Sequence, residues 1–158
     1  MEESTSQKII QLLDLLREVE SALGDFYSRC AFFFPEDESL WEELKSDEIK
    51  HAGQVEELTI IFNEKKDRFR LGEFNPEPLK TFLEDIEDQR DSLEKGELTR
   101  DNALFVARDY EDNLVENKFL RAIESEEPEF IRLTEQIEQE ETEHLEELED
   151  YIKAISIN

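Results

Sequence analysis

The chain contains two histidines, and each lies three residues after a glutamate. They form two motifs, Glu48-x-x-His51 and Glu141-x-x-His144. On an α-helix, residues three positions apart share one face, so the carboxylate and the imidazole of each motif can bind one ion together. Carboxylates and imidazoles suit Fe(II) or Mn(II), whereas metals that select thiolates would find only Cys30. The motifs therefore predict a metal centre, with iron as the expected metal and manganese as the alternative.

Each motif is preceded, about thirty residues upstream, by a glutamate that interrupts an apolar stripe. In the first half this residue is Glu20, which lies where the helical spacing expects a core residue. In the second half, Glu111 and Glu116 are both candidates. The stripe through Ala107 and Leu114 favours Glu111. The order of glutamate, then Glu-x-x-His, therefore occurs twice along the chain.

Four carboxylates on the core faces of four helices need compensation. An unpaired carboxylate in an apolar interior costs several kcal/mol, and four facing one another cost more. Two dications carry four positive charges, which match four carboxylates and give the oxygens coordination partners. The sequence therefore predicts a two-ion centre in which the four glutamates are also the catalytic residues. The six predicted ligands are Glu20, Glu48, His51, Glu111, Glu141 and His144.

Four long segments show helical periodicity, and the few Gly and Pro residues cluster between them. Ser39 and Glu42 form a predicted capping box at the start of the second helix. Thr99 is the predicted N-cap of the third helix, and Pro128 lies in the predicted first turn of the fourth. A shorter amphipathic segment ends before Gly96. The long segments cover about 5–34, 39–66, 100–119 and 128–155, and the short one covers about 79–93.

The connections between these segments predict the topology of an all-α fold. The first two and the last two long helices are joined by short links, which makes each pair an antiparallel hairpin. The link between the second and third helices has about thirty residues, enough to run the length of a bundle. We therefore expect one domain over residues 1–158. It should be an antiparallel four-helix bundle, with two helical hairpins joined by a long crossover that contains a short helix, as in ferritin-like folds. No β pattern competes with this interpretation.

The net charge of −26 argues against several classes of partner. Phosphate backbones and anionic membrane surfaces would repel the chain, so we expect no nucleic acid and no membrane partner. The charge would concentrate cations near the surface, ferrous ions among them, although solubility or adaptation to salt explains it equally well. No apolar run reaches membrane-spanning length, and the N-terminus lacks the basic start of a signal peptide. A cytoplasmic location is therefore expected.

At these residues the sequence resembles the ferritin-like superfamily and, within it, the rubrerythrin-type di-iron domain. The segment 20–27 is similar to the first ligand helix of that family, with Tyr27 seven residues after Glu20. The segment 47–52 is similar to its second ligand helix. The second half resembles the family through 111–116 and 140–144. The likeness covers nearly the whole chain, and short motifs carry most of it.

The resemblance implies that Glu48 and Glu141 bridge two iron ions. It divides the remaining ligands between the ions, with Glu20 and His51 at one and Glu111 and His144 at the other. The sequence departs from the family in two respects. Cys30 is the single cysteine, so the chain cannot form the paired-cysteine, rubredoxin-like domain of rubrerythrins. Leu114 also stands where many of them have an additional glutamate.

These features together predict a non-haem di-iron oxidoreductase that couples Fe(II) oxidation to the reduction of O2 or hydrogen peroxide. Ferrous iron and the oxidant are its expected partners, together with an electron donor that the sequence does not identify. Iron sequestration without turnover and a metal-free acidic helical adaptor are the alternatives. Tyr27 and Trp41 are interpreted as core residues, with an electron relay as the alternative. The run Phe32-Phe33-Phe34 closes the end of the bundle or is buried against another copy in a homodimer.

Overall fold

The computed structural model describes residues 2–156, with side chains from residue 5 onward. This part of the chain is helical apart from two short strands, which confirms the predicted all-α class at that level. Met1 and residues 157–158, the ends of the predicted domain, lie outside the described residues. None of the described helices is long and apolar enough to cross a membrane. The helices are α1 (Glu2–Phe33), α2 (Glu38–Glu64), α3 (Glu77–Glu94), α4 (Arg100–Asn117) and α5 (Pro128–Ser156), and the strands are β1 (Phe69–Leu71) and β2 (Ile123–Ser125).

Helix α2 begins at Glu38, one residue before the predicted cap. The capping box predicted at Ser39 and Glu42 is wrong, because Ser39 already lies within the helix. A 3-10 turn over Pro35–Asp37 leads directly into α2. Asp37 occupies the N-cap position, but its side chain makes no capping hydrogen bond. The carboxylate of Asp37 has a different set of partners, described below.

The two ends of α4 differ in how well the sequence predicts them. The N-cap is confirmed, because Thr99 Oγ1 accepts a hydrogen bond from the backbone N–H of Asn102 at 3.2 Å. The predicted continuation to Phe119 is wrong, since α4 ends at Asn117. Lys118 adopts the left-handed conformation with φ 44°, which ends the helix. Phe119 therefore lies in a 3-10 turn after the helix.

Two strands form a small antiparallel sheet that the sequence analysis did not predict. In this sheet Phe69 lies opposite Ser125, and Leu71 lies opposite Ile123. Phe69 and Ile123 are buried, whereas Arg70 is exposed. With three residues in each strand, the alternation is too short to be recognised in the sequence. The sheet links the segment after α2 to the segment between α4 and α5.

Helices α1 and α2 form an antiparallel hairpin. The ring of Tyr27 stacks on that of Trp41 with centroids 5.9 Å apart, whereas Glu20 lies beside His51. Contacts earlier in α1 are thus made with residues later in α2, so the two helices run in opposite directions. Helix α4 packs on α5, α5 also packs on α2, and α3 lies against α1. These contacts bring side chains from α1, α2, α4 and α5 into one interior.

The predicted apolar stripes form the core of the molecule. Leu13, Leu23 and Leu148 are fully buried, as are most of the other residues of the four stripes. Phe119, Leu133 and Ile155 are the exceptions, because they are only partly buried against this core. Helical periodicity therefore identified the buried face of each long helix. The charged residues that interrupt the stripes lie on those same faces.

Asp37 connects the α1–α2 turn to the other two long helices. Its side chain is buried, and its two oxygens accept hydrogen bonds from Arg100 Nε and Nη2 at 2.6 and 2.7 Å. Tyr151 in α5 also donates its hydroxyl to Asp37 Oδ1. The hydrogen bonds from Arg100 hold the pKa of Asp37 below its usual range. We refer to Asp37, Arg100 and Tyr151 as the Asp37 cluster.

Candidate metal centre

The four glutamates predicted as ligands lie in the core of the protein. Glu20, Glu48 and Glu111 are 0% exposed, and Glu141 is 7% exposed. His51 is also 0% exposed. Each glutamate takes the place of an apolar residue in a buried helical stripe, so the periodicity of its helix turns it inward. Carboxylates are almost never buried without a compensating partner. The cluster therefore requires a source of positive charge or of protons.

Glu20, Glu48 and His51 converge closely enough to bind one ion. His51 Nδ1 lies 3.7 Å from Glu20 Oε2 and 3.9 Å from Glu48 Oε2. One ligand atom from each of the three residues lies within 4.8 Å of the others. Two ligands of one octahedral divalent ion, each about 2.1 Å from it, lie about 3.0 to 4.2 Å apart. The two nitrogen-to-oxygen distances fall inside this range, so these three residues fit a dication.

The polar atoms of the cluster lack the hydrogen bonds that buried polar atoms normally make. Most buried polar groups in proteins have at least one partner. Here, the buried atoms without one include both carboxylate oxygens of Glu20 and of Glu48, both ring nitrogens of His51, Oε1 of Glu111 and Nδ1 of His144. All of these atoms are oxygen or nitrogen donors of the kind that binds Fe(II), Mn(II) or Zn(II). The donor set therefore fits a metal, and the fold provides few other partners for it.

Without a metal, protons compensate most of the buried charge. Burial raises the pKa of Glu48 well above its usual value, and the neighbouring charge of Glu20 raises it further. Burial likewise raises the pKa of Glu141 well above its usual value. Burial raises the pKa of Glu111 to about 7, although a hydrogen bond from Tyr27 acts in the opposite direction. Metal ions must therefore compete with protons for these carboxylates.

Glu20 and His51 behave as a charged pair. Burial raises the pKa of Glu20, but the adjacent Glu48 and His51 side chains outweigh burial and lower it overall. Burial lowers the pKa of His51, but the Glu20 carboxylate outweighs burial and raises it overall. Both pKa shifts favour the charged forms in the metal-free chain, a carboxylate on Glu20 and an imidazolium on His51. A dication bound to both groups would replace the imidazolium proton.

On α4, Glu111 faces the core and Glu116 does not. Glu116 is exposed, whereas Glu111 is buried and its Oε2 accepts a hydrogen bond from the Tyr27 hydroxyl at 2.7 Å. Tyr27 and Trp41 are fully buried and stacked, so their interpretation as core residues is confirmed. Tyr27 is thus the link between α1 and the carboxylate on α4. The alternative, an electron relay through the two rings, stays a prediction.

The other three predicted ligands, Glu111, Glu141 and His144, lie close to the first three, but their ligand atoms are further from one another. The ring centroids of His144 and His51 are 5.3 Å apart, which places the two histidines side by side. Glu141 lies within interaction distance of Glu20. Within residues 5–156, however, Glu111, Glu141 and His144 do not bring ligand atoms together as the first set does. The structure thus gathers the six side chains in one region, and their assignment as six ligands stays a prediction.

Two outer contacts of the cluster were not predicted from the sequence. Asp47 Oδ2 lies 2.9 Å from His144 Nε2. Glu140 accepts hydrogen bonds from Lys50 Nζ at 2.5 Å and from Gln54 Nε2 at 3.3 Å. Asp47 and Glu140 each immediately precede the glutamate of a Glu-x-x-His motif, which was the available signal. Their partners lie on another helix, about ninety residues away in sequence, so local patterns do not identify them.

A crevice between α4 and α5 leads from the surface to Glu141. Its volume is about 230 Å³. Glu141 is the least buried of the four carboxylates, and it is one of the residues that line this crevice. At the mouth, Arg121 holds Glu138 through three hydrogen bonds of 2.9 to 3.1 Å. The lining includes Val115, Lys118, Arg121, Glu138, Glu141 and Thr142. The crevice thus brings an accessible space up to one carboxylate of the cluster.

No protein-family model, curated protein or solved structure matches the chain. The chemistry of the buried cluster is therefore the basis for assigning a function.

Proposed function

We propose that the chain is a non-haem di-iron carboxylate protein that couples Fe(II) oxidation to the reduction of O2 or hydrogen peroxide. The observation that carries the proposal is the set of buried carboxylate and imidazole atoms without hydrogen-bond partners. Their convergence at Glu20, Glu48 and His51 supports an ion-binding role. Donors of this kind favour iron or manganese over thiolate-selective metals.

We propose a ferritin-like, rubrerythrin-type architecture for this centre. Two helical hairpins, α1–α2 and α4–α5, are separated by a segment that contains α3, and α3 packs on α1. This order supports the expected pair of hairpins with a long crossover. The four ligand-bearing helices are the members of the two hairpins. A cytoplasmic location is proposed with this assignment, on the basis of composition alone.

The residues of the chain have distinct proposed roles. Glu20 and His51 would hold one ion, Glu111 and His144 would hold the other, and Glu48 and Glu141 would contribute a carboxylate to both. Two ferrous ions, when bound, supply the two electrons that reduce one oxidant molecule. The raised pKa values of Glu48 and Glu141 favour their protonated forms in the metal-free protein, so a metal that binds them would have to displace protons. Tyr27 orients Glu111 through its hydrogen bond, and the apolar residues around the cluster exclude bulk water.

The proposed partners are ferrous iron, the oxidant and an external electron donor. A second copy of the chain is a further proposed partner, at the end of α1. Phe32 is 79% exposed there, and Phe33 beside it is 36% exposed. Phe34, in contrast, is partly buried against the core of its own chain. Phe34 thus helps to close the core, whereas Phe32 and Phe33 are exposed.

Aerobic oxidation of bound iron tests the proposed function. Metal-free protein is loaded with Fe(II) under anaerobic conditions and then exposed to air or hydrogen peroxide, while near-ultraviolet ferric absorption is recorded. We expect a rapid rise in absorption for the wild type and for Glu116→Ala, which changes an exposed glutamate on α4. Glu48→Ala should lose the rise. An unchanged wild-type spectrum, or an equal rise in Glu48→Ala, would contradict the proposal.

One observation favours a second candidate function, ion binding without redox turnover. Only Glu20, Glu48 and His51 converge to the spacing of a one-ion site within residues 5–156. A protein with this function would bind iron or manganese and show no oxidant-dependent turnover. Mass in solution adds a further distinction, because an iron-storage shell requires many subunits. The third alternative, a metal-free acidic adaptor, does not explain the unpartnered buried atoms.

A further inference from the structure

Asp47 and His144 form a contact between α2 and α5 at the edge of the cluster. Asp47 Oδ2 lies 2.9 Å from His144 Nε2. The side chain of His144 is 12% exposed and that of Asp47 is 26% exposed, so the contact is largely shielded from water. Asp47 directly precedes Glu48 in α2. The carboxylate of Glu48 lies in the interior, whereas that of Asp47 contacts a histidine on another helix.

This contact determines which nitrogen of His144 is available to an ion. A neutral imidazole has one N–H donor and one nitrogen with a free lone pair. When the Nε2–H group donates a hydrogen bond to Asp47, the free lone pair is on Nδ1. His144 Nδ1 is buried and has no hydrogen-bond partner. In metal sites, a carboxylate on the outer nitrogen fixes the orientation of the ring and increases the basicity of the ligating nitrogen.

His51 lacks the corresponding contact. Glu140 has the same place before Glu141 that Asp47 has before Glu48, so the internal repeat would pair Glu140 with His51. Glu140 is instead held by Lys50 Nζ at 2.5 Å and by Gln54 Nε2 at 3.3 Å. Both ring nitrogens of His51 are without a hydrogen-bond partner. The two histidines therefore have different surroundings despite the repeated motif.

We propose that Asp47 is a positioning residue that fixes the tautomer and orientation of His144, and that Lys50 and Gln54 prevent Glu140 from doing the same for His51. The hydrogen bond between Asp47 and His144 follows from their contact alone. Its consequence for metal binding rests on the proposed function. In that case the two ion positions depend on different outer residues. Loss of Asp47 weakens the position at His144 and leaves the position at His51 intact.

Nitrogen NMR of the metal-free protein tests the hydrogen bond without any metal. The chain has two histidines, so ¹⁵N-labelled histidine gives two ring systems, which a His51→Gln variant assigns. At pH 8 we expect the proton of His144 on Nε2. Asp47→Ala should shift His144 toward a mixture of tautomers. Glu140→Ala should leave the tautomers of both His51 and His144 unchanged. A wild-type His144 with its proton on Nδ1, or an Asp47→Ala spectrum equal to the wild type, would overturn the inference.

Titration with Mn(II) or Co(II) tests the consequence for binding. We expect Asp47→Ala to lower the affinity for one of the two ions by about 10- to 100-fold. Glu140→Ala should leave both affinities unchanged, and Asp47→Asn should lose less than Asp47→Ala, because the amide oxygen of Asn can still accept the hydrogen bond from Nε2–H. If the wild type binds two ions and Asp47→Ala weakens neither, the inference fails and the proposed function stands. If the wild type binds no ion, the proposed function fails, and the NMR experiment still decides the hydrogen bond.

Discussion

Three of the buried carboxyl groups, those of Glu48, Glu111 and Glu141, lower the stability of the metal-free protein as the pH rises. The pKa of Glu111 is raised to about 7 by burial, so the folded chain binds this proton more tightly than the unfolded chain does. Stability is therefore highest when the group is protonated and falls as the pH rises from about 4.5 to about 7. For Glu111 the loss is on the order of 3 kcal/mol. Glu48 and Glu141 act in the same direction, because burial raises the pKa of both.

Replacing Glu48 with glutamine should therefore stabilise the metal-free protein at high pH. Gln fills a similar volume and needs no proton, so the folded state avoids the cost of keeping this carboxyl protonated at pH 8. We expect Glu48→Gln to raise the free energy of unfolding by about 1 to 3 kcal/mol at pH 8 and to have little effect at pH 4.5. Urea unfolding with a chelator present measures this difference.

The exposed Glu43 on the same helix provides the control for this experiment. Glu43→Gln should change the stability by less than about 0.5 kcal/mol at either pH. A loss of stability at pH 8 in Glu48→Gln would mean that the carboxylate already has a compensating partner in the metal-free chain.

The sequence predicted single residues well where helical periodicity decides their direction. Glu20 and Glu48 face the core because they replace apolar residues at regular spacing, and periodicity is a local property. The partners of Asp47 and Glu140 were not predictable in the same way. Their contacts depend on how α2 and α5 are aligned along each other, and this register is set by packing over the whole interior.

Among the secondary-structure elements, the Asp37 cluster should help to hold the turn between α1 and α2 against α4 and α5. The pKa of Asp37 is lowered, mainly by Arg100, so its contribution is present above about pH 3.9 and is lost as the pH falls through the lowered value. We expect Asp37→Asn to reduce the free energy of unfolding by about 1 to 3 kcal/mol at pH 7. The deficit should shrink below about pH 3.9, because the unfolded wild-type chain then takes up a proton at Asp37 that the folded chain binds less tightly.

Asp101→Asn is a matched control for this prediction, because Asp101 is exposed beside Arg100 on α4. Because Asp101 lies in the first turn of α4, this change should cost less than about 1 kcal/mol of stability in urea at pH 7. A deficit in Asp37→Asn that is the same at pH 7 and at pH 3 would show that the charge of Asp37 is not what stabilises the cluster.

The elements were predicted unevenly, and the reasons are physical. The long helices were found because their stripes repeat over several turns. The N-cap at Thr99 was found because its side chain acts within one turn, whereas the box at Ser39 failed because the preceding 3-10 turn starts the helix earlier. The strands β1 and β2 were missed because pairing between distant segments, rather than their own pattern, forms the sheet.

Over the whole molecule, the dominant property is the net charge of −26. Such a charge opposes the compact state through repulsion between like charges. Salt screens this repulsion, because the Debye length falls from about 30 Å at 0.01 M to about 3 Å at 1 M. We expect the melting temperature of the metal-free protein to rise with NaCl over this range, as measured by circular dichroism.

A variant with three exposed glutamates neutralised, Glu43→Gln, Glu57→Gln and Glu146→Gln, should respond less to salt than the wild type. Equal responses in the two proteins, or a melting temperature that falls as salt is added, would show that surface repulsion does not limit the stability of the fold.

Metal content after reconstitution is the most direct test of the proposed centre. Metal-free protein is incubated anaerobically with excess Fe(II), desalted and analysed for iron and protein. The proposed function predicts two iron ions per chain in the wild type and in Glu116→Ala, and less iron in Glu20→Ala and Glu48→Ala. A wild-type protein that retains no iron, or that retains no more than Glu20→Ala and Glu48→Ala do, would contradict it.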